Sequence, residues 1–306
     1  MTALHDATAV VLNWRTAEHT IRSVRALLAE GLAPEQIVVV DNASGDGSVA
    51  RIQAELPLSP LALDENLGFA RGNNAGARKR PAAAYLFVNS DAFVHAPGSV
   101  PRLLEAVREP RVGLAIPRLL NEDLTLQPSV VPTSSPLPEL VRASGLSRFV
   151  PNRMQPSVGT HWDHGESRAV QAATGAVIAV RDAAWAALGG FTEHRFMYAE
   201  DLDLFWRAGE LGWETRFVAD AEFVHLGGAS TSARWTDAER AERVARAQAA
   251  MIREHLTRSR ATLTLALMAL GVGGRALVYR ALGDRAASKT MIGWLRGYTA
   301  GARDPG

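Results

Sequence analysis

Asp41, Asp91, Asp201 and His225 each stand beside a short apolar run. Asp41 closes Ile37-Val38-Val39-Val40, and Asn89-Ser90-Asp91 follows Tyr85-Leu86-Phe87-Val88. Continuous apolar runs of four read as buried parallel strands, and open α/β sheets bind ligands beyond the carboxyl ends of their strands. A carboxylate at position 41 can accept the imide N–H of a uracil or thymine base. One at position 91 can hold a divalent cation against a nucleotide diphosphate, since Mg2+ and Mn2+ take oxygen ligands and substrate phosphates. Each has a plainer reading. Asp41 runs into Asn42-Ala43-Ser44-Gly45-Asp46-Gly47-Ser48, which suits a helix-capping turn, and Asp91 precedes a Pro97-Gly98 turn.

Glu200-Asp201-Leu202-Asp203 opens a helical segment running on through Leu204-Phe205-Trp206-Arg207. Acids at a helix start are favoured by the macrodipole alone. The helical wheel separates them: Glu200, Asp203 and Arg207 share one face, whereas Asp201 lies beside Phe205 on the apolar flank. A partly desolvated carboxylate gains proton affinity and suits a general base. Glu200 can hydrogen-bond an acceptor hydroxyl or position a loop. His225, after Phe223-Val224, is either a structural histidine or a metal ligand beside Asp91, and an imidazole would favour Mn2+ over Mg2+. In the glycine-rich stretch from Asn66 to Gly76, the backbone can approach a phosphate closely, with a charge-assisted contact from Arg71.

These residues need a scaffold. Strands are predicted at 9–12, 37–40, 61–63, 85–88 and 112–116, with helices at 16–30, 48–56, 70–79 and 101–107 between them. That alternation makes an open, mostly parallel α/β sheet. Residues 121–168, rich in Pro, Ser and Thr, read as an irregular segment over the site on the acceptor side. Further strands at 176–180 and 215–218, and helices at 182–188 and from about Glu200, complete a domain over 1–235. Residues 236–306 read as a helical extension.

Composition removes several classes. The 306 residues contain no cysteine, which excludes disulfides, thiolate metal sites and a cysteine nucleophile, and a reducing compartment fits. Asn13-Trp14-Arg15-Thr16-Ala17 follows the first strand where a dinucleotide fold would carry glycines, and no Walker A motif is present. Residues 252–306 hold nine basic and three acidic side chains, so the tail is +6 and the remainder, given the overall +1, is −5. A body of that sign is a poor nucleic-acid binder, while the tail suits an anionic membrane surface. The apolar run Leu263–Gly274 ends at Arg275. It is shorter than the roughly 20 residues of a spanning helix, and reads as an interfacial helix or, alternatively, a buried core helix. The N-terminal MTALHDATAVVLNW lacks the basic start of a signal peptide.

In chain order, VVLNW, VVVDNASGDGS, ENLGFARGNN, FVNSDAF, TGAVIAVRDAAWAALGGFTE, FMYAEDLDLFWRAGELGWETRFV and VHLGG resemble the landmarks of glycosyltransferase family 2 across residues 7–230. The pattern is most similar to its bacterial rhamnosyltransferase-like branch, which builds cell-wall or surface polysaccharides. The resemblance implies a GT-A fold: one nucleotide-sugar-binding domain plus the C-terminal helices. It implies an inverting hexosyltransferase with Mg2+ or Mn2+, held by Asp91 and His225. Asp201 would be the base, with Glu200 beside it. Donor contacts would come from Asn13, Asp41, Asn42, Asn66, Gly68, Arg71, Asn74, Asn89, Ser90 and Asp91. The donor would be a dTDP- or UDP-type sugar, foremost dTDP-rhamnose. The acceptor would be a glycan or a polyprenyl-diphosphate-linked sugar, reached from the inner face of the cytoplasmic membrane. UDP-galactose or GDP-mannose as donor, and an inactive nucleotide-sugar-binding scaffold, are the alternatives. One departure stands out: the family's usual Asp-x-Asp has Asn89 at its first position, an oxygen ligand of lower charge.

Overall fold

The computed structural model describes residues 6–155, 162–194, 198–227 and 235–301. Two compact units emerge, one comprising Met1–Val130, His164–Phe196 and Glu200–Ser230, the other Val131–Asp163, Met197–Ala199 and Thr231–Gly306.

The first unit starts β1 (Ala7–Asn13), α1 (Ala17–Ala29), β2 (Ile37–Asp41), α2 (Ser48–Glu55), β3 (Leu61–Ala62), α3 (Gly68–Lys79) and β4 (Ala84–Asn89). Parallel strands need crossovers, and the helices between these apolar runs supply them. After β5 (Ala92–Val94) and α4 (Ser99–Ala106) come β6 (Val112–Leu120), β7 (Leu126–Gln127) and β8 (Val130–Val131). The unit resumes with β9 (Arg168–Val170), β10 (Ala172–Ala173), β11 (Val177–Arg181), α6 (Asp182–Leu188), α7 (Glu200–Glu210) and β12 (Glu214–His225).

The main sheet runs β3-β2-β1-β4-β11-β6-β12-β5. β11 is antiparallel to both β4 and β6, so β3, β2, β1, β4, β6 and β12 all point one way. The expected mostly parallel α/β sheet is therefore present. Successive strands step outward from β1 to β3, then the chain crosses back to lay β4 on the other side of β1. The carboxyl ends of β1 and β4 flank that reversal, with Asn13 opposite Asp41 and Leu12 opposite Asn89. Strand interiors are buried throughout, as in Val10, Val11, Val39, Val40, Leu86 and Phe87. Glycines in α3 set its distance from the sheet: a Cβ on Gly72 would stand 2.5 Å from Leu12 Cδ1, and one on Gly76 would collide with Val10.

The strands predicted at 112–116 and 215–218 are longer, because β6 reaches Leu120 and β12 continues through a register shift to His225. The segment 121–168 is less irregular than its prolines suggest. Within it, α5 (Pro136–Ala143) starts at a proline, which fits a first helical position where no amide hydrogen is needed. Residues 156–161 of that segment lie outside the described residues.

In the second unit α5 accompanies α8 (Asp237–His255), α9 (Arg258–Ala281) and α10 (Arg285–Gly301). Thr236 and Glu239 form a reciprocal capping box that starts α8. Gly293, Gly297 and Gly301 bring α10 against Ala238, Glu242 and Ala249 of α8, where side chains would clash.

Candidate active site

Asp41 ends β2 almost fully buried, and three donors hold it. Asn13 Nδ2 and Ser44 Oγ each donate to Oδ1 at 2.6 Å, and the Ser44 amide donates to Oδ2 at 3.0 Å. A carboxylate offers about four acceptor positions, so Oδ2 keeps one. Asn13 itself has no surface exposed, and its Oδ1 accepts from Thr20 Oγ1 at 2.8 Å. Its side chain is committed to the strand-end scaffold. Asn42 is similarly committed: it donates to Asn66 Oδ1 and the Gly68 carbonyl and accepts from the Leu67 amide. This clamp fixes the turn into α3, where Gly68 has φ +79°. Asn74 instead grips a second loop, donating to the Phe191 carbonyl and accepting from its amide. Arg71 is exposed and donates to the Glu193 carbonyl at 3.2 Å. Asn13, Asn42 and Asn74 thus spend their side-chain amides on the protein itself, whereas Arg71 commits its Nε. A cavity of about 360 Å3 opens beside the Asp41 loop, lined by residues such as Arg15, Thr16, Asp46 and Arg51.

A second group forms where β4 ends. Ser90 Oγ lies 3.0 Å from Thr16 Oγ1, joining this strand end to that of β1. Asp91 and His225 are both nearly buried, with His225 Nε2 3.5 Å from Asp91 Oδ1. β12 and β5 enforce the meeting, pairing His225 with Ala92.

The tautomer of His225 follows from its neighbours. Asn121 Nδ2 donates to the Leu126 carbonyl, leaving Asn121 Oδ1 to accept from Gln127 Nε2 at 3.0 Å. Gln127 Nε2 also donates to the His225 carbonyl, so Gln127 Oε1 faces His225 Nδ1 at 2.8 Å as an acceptor. Nδ1 is therefore the donor to Gln127, and Nε2 is the ring nitrogen turned toward Asp91. Metal-ligating histidines are oriented this way by a partner on the other ring nitrogen. Gln127 gave no sequence signal, because a glutamine in a Pro/Ser-rich segment has no distinguishing pattern.

Asp201 lies one turn of backbone away. Asn89 N donates to Ala176 O at 2.8 Å, and the preceding residue, Gly175, donates its amide to Asp201 Oδ2 at 2.8 Å. The Leu202 amide donates to Oδ1 at 2.8 Å. The residue keeps partial exposure while its carboxyl is packed within protein. Burial pushes that carboxyl above the usual aspartate range, and the amide hydrogen bonds pull only partly against it. Immediately before this helix Tyr198 and Ala199 take φ of +73° and +64°, left-handed values that cost non-glycine residues energy and concentrate at functional sites. Asp203 serves otherwise, pairing with Arg207 at 2.8 Å while accepting from Thr192. Glu200 is buried at the helix start. Among the described residues no three or more His, Cys, Asp or Glu side chains form a metal cage.

The family model for glycosyl transferase family 2 matches residues 10–137. Two Mycobacterium tuberculosis relatives, from strains CDC 1551 / Oshkosh and ATCC 25618 / H37Rv, are each called N-acetylglucosaminyl-diphospho-decaprenol L-rhamnosyltransferase. Each is 29% identical over 241 residues, 71% of this chain and 74% of the relative. Among solved structures, a mannosyltransferase from Pyrobaculum calidifontis in complex with GDP-Man and Mn2+ aligns with TM-score 0.64 at 14% identity, over 98% of this chain and 88% of that one. S. aureus TarS in complex with UDP-GlcNAc aligns with TM-score 0.53 at 14% identity, over 97% and 92%. The shared fold is the GT-A type.

Proposed function

From a chain that is a glycosyltransferase of family 2, we propose an inverting transfer of L-rhamnose from dTDP-rhamnose to a hydroxyl of a polyprenyl-diphosphate-linked sugar. The names of the mycobacterial relatives support the sugar and the acceptor class. The observation that carries the reading is the hydrogen-bonded path from Asn89 through Ala176 and Gly175 to Asp201. It sets a proton acceptor beside the strand end that bears Asp91.

Asp41 recognises the base, its remaining Oδ2 position accepting the imide N–H of thymine. Asp91 and His225 would hold a divalent cation, which when bound neutralises charge gathering on the departing diphosphate. The donor set fits: a carboxylate oxygen and the imidazole Nε2 face each other at 3.5 Å, with Nδ1 taken up by Gln127, so a cation between them would stand where a proton otherwise bridges. Two protein donors leave the remaining positions to phosphate oxygens and water. The imidazole favours Mn2+.

Asp201 takes the proton of the acceptor hydroxyl as that oxygen bonds to the anomeric carbon. The bond from the anomeric carbon to the diphosphate oxygen breaks on the opposite face, and its electron pair leaves with the nucleoside diphosphate. Configuration inverts in this one displacement, with no covalent enzyme intermediate. The raised proton affinity of Asp201 serves the step, because a base nearer the operating pH accepts the proton more readily.

A panel of dTDP-, UDP- and GDP-sugars incubated with a synthetic GlcNAc-diphospho-polyprenol tests this. Transfer of rhamnose with inverted configuration at the anomeric carbon, read by NMR of the product, is expected. Transfer from a UDP- or GDP-sugar in place of dTDP-rhamnose would overturn the donor assignment. Nucleotide-sugar binding without transfer from any of them would leave a scaffold.

A further inference from the structure

The outward face of α9 is apolar along its length. Leu263, Ala266, Leu270, Gly274, Leu277 and Ala281, three or four residues apart, are all exposed, with Leu270 at 69% and Leu277 at 70%. The opposite face is occupied by protein: Gly271 abuts Ala143 of α5, and Ser288 of α10 donates to the Ala276 carbonyl at 2.9 Å. An ordinary surface helix turns its polar side outward. Here the order is inverted, and a contiguous apolar stripe of this kind marks a contact surface.

The charges around it identify the partner. No Asp or Glu occurs from 255 to 283, while Arg258, Arg260, Arg275 and Arg280 are exposed there. Residues 136–154, which include the neighbouring α5, bring Arg142, Arg148 and Arg153 against one carboxylate, Glu139. Glu139 is buried and paired with Arg142, so it offers no anionic surface. Exposed leucines beside arginines, with exposed acids only beyond the helix ends at Glu254 and Asp284, match a phospholipid surface of negative charge. By length and composition α9 is also apolar enough to cross a membrane, with a mean hydropathy of 1.6 over 18 residues. Protein covers one side of it, and Arg275 and Arg280 lie along it, so its geometry is that of a helix in the membrane plane.

We propose that α9 docks the chain on an anionic phospholipid bilayer as an interfacial helix, its outward leucines in the acyl boundary and its arginines at the phosphates. This goes beyond the transfer reaction and needs neither donor nor acceptor.

The test floats the full chain, without substrates, on phosphatidylcholine vesicles with and without phosphatidylglycerol. Binding is expected only with phosphatidylglycerol, reversed by high salt and by alkaline carbonate. L270E/L277E should weaken it by about tenfold or more, and R258Q/R260Q by about thirtyfold. Both pairs are exposed, so unchanged thermal melts are expected, and the arginine pair stands as the test if the leucine pair misfolds. Equal flotation of the variants, or no flotation of the parent chain, overturns the proposal. Retention through carbonate overturns it in favour of a spanning helix. Self-association lost in L270E/L277E without vesicle binding overturns it in favour of a second copy of the chain.

Discussion

Replacing Gly175 by alanine should damage chemistry while sparing the fold and the donor. Gly175 lacks the left-handed φ that would itself demand glycine, so alanine is conformationally allowed there. The obstacle is steric: the new Cβ would stand 2.5 Å from Asp201 Cβ and 3.2 Å from its Oδ2. Restoring ordinary contact needs a movement of about 1 Å, and a misplacement of that size at a reacting group costs about 10²-fold in rate. The Gly175 amide that fixes Oδ2 at 2.8 Å would be lost or lengthened by the same shift. The assay is steady-state rhamnosyl transfer to the synthetic lipid-linked acceptor, with calorimetric titration of dTDP alongside. The expected result is a fall of about 10²-fold in kcat with nucleotide affinity unchanged. D201N should fall further, by about 10²–10⁴-fold, as for loss of a general base. G175A at full turnover with a normal melt would refute the placement of Asp201 as the base.

Because burial raises the Asp201 carboxyl, the acid limb of the kcat profile should lie above the ordinary aspartate value of 3.8 and vanish in D201N. The same shift sets a stability sign. A carboxyl with raised folded-state pKa contributes stability below its unfolded pKa and loses it as pH rises through the folded value, so this decline of the melt with rising pH should be present in the parent and missing from D201N. Q127L should lower Mn2+ affinity by about 10–100-fold; in the metal-free chain, the 15N shift of His225 Nδ1 should report loss of its hydrogen bond to Gln127, and an unchanged shift would contradict the network. D91A should weaken metal-dependent nucleotide binding, and calorimetry with and without Mn2+ that finds no difference from the parent would contradict it. R207M, which removes the buried pair with Asp203 and the guanidinium bonds to the Leu188 and Gly190 carbonyls, should cost about 3–5 kcal/mol in denaturant unfolding, whereas a loss below about 1 kcal/mol would mean the pair is no stronger than a surface bridge.

The parallel half of the sheet was legible because its strands are uninterrupted apolar runs and its helices carry the longer period. Such signals are local. β12 was harder: Asp220 and Glu222 break its apolar pattern, yet the chain continues through a register shift, held by pairing with β6 on both sides of the shift and with β9 and β5 toward its two ends. Proline in 121–168 concealed α5, since the same residue that breaks a helix interior is welcome at its first turn. The glycines of 66–76 had two physical explanations, close backbone approach to phosphate or close helix-to-sheet packing. Gly72 and Gly76 take the second, facing Leu12 and Val10.

The polar residues divide along a similar line. Asn13, Asn42 and Asn74 have the right type and place for donor contacts, but an amide both donates and accepts, and inside a protein it is readily consumed by backbone and neighbouring side chains. A carboxylate only accepts, so it retains capacity once its few donors are placed. Asp41 and Asp201 show how environment then assigns work to one residue type. Asp41 is held by two side-chain donors and one backbone amide, which leave an oxygen position for an N–H group. Asp201 has backbone amides alone against the cost of burial, and that balance raises its proton affinity. The two carboxyls thereby sit in different surroundings, one among side-chain and backbone donors and the other held by backbone amides only. A side-chain hydroxyl donor placed beside Asp201, as Ser44 stands beside Asp41, would lower the proton affinity of Asp201 and move the acid limb assigned to it downward.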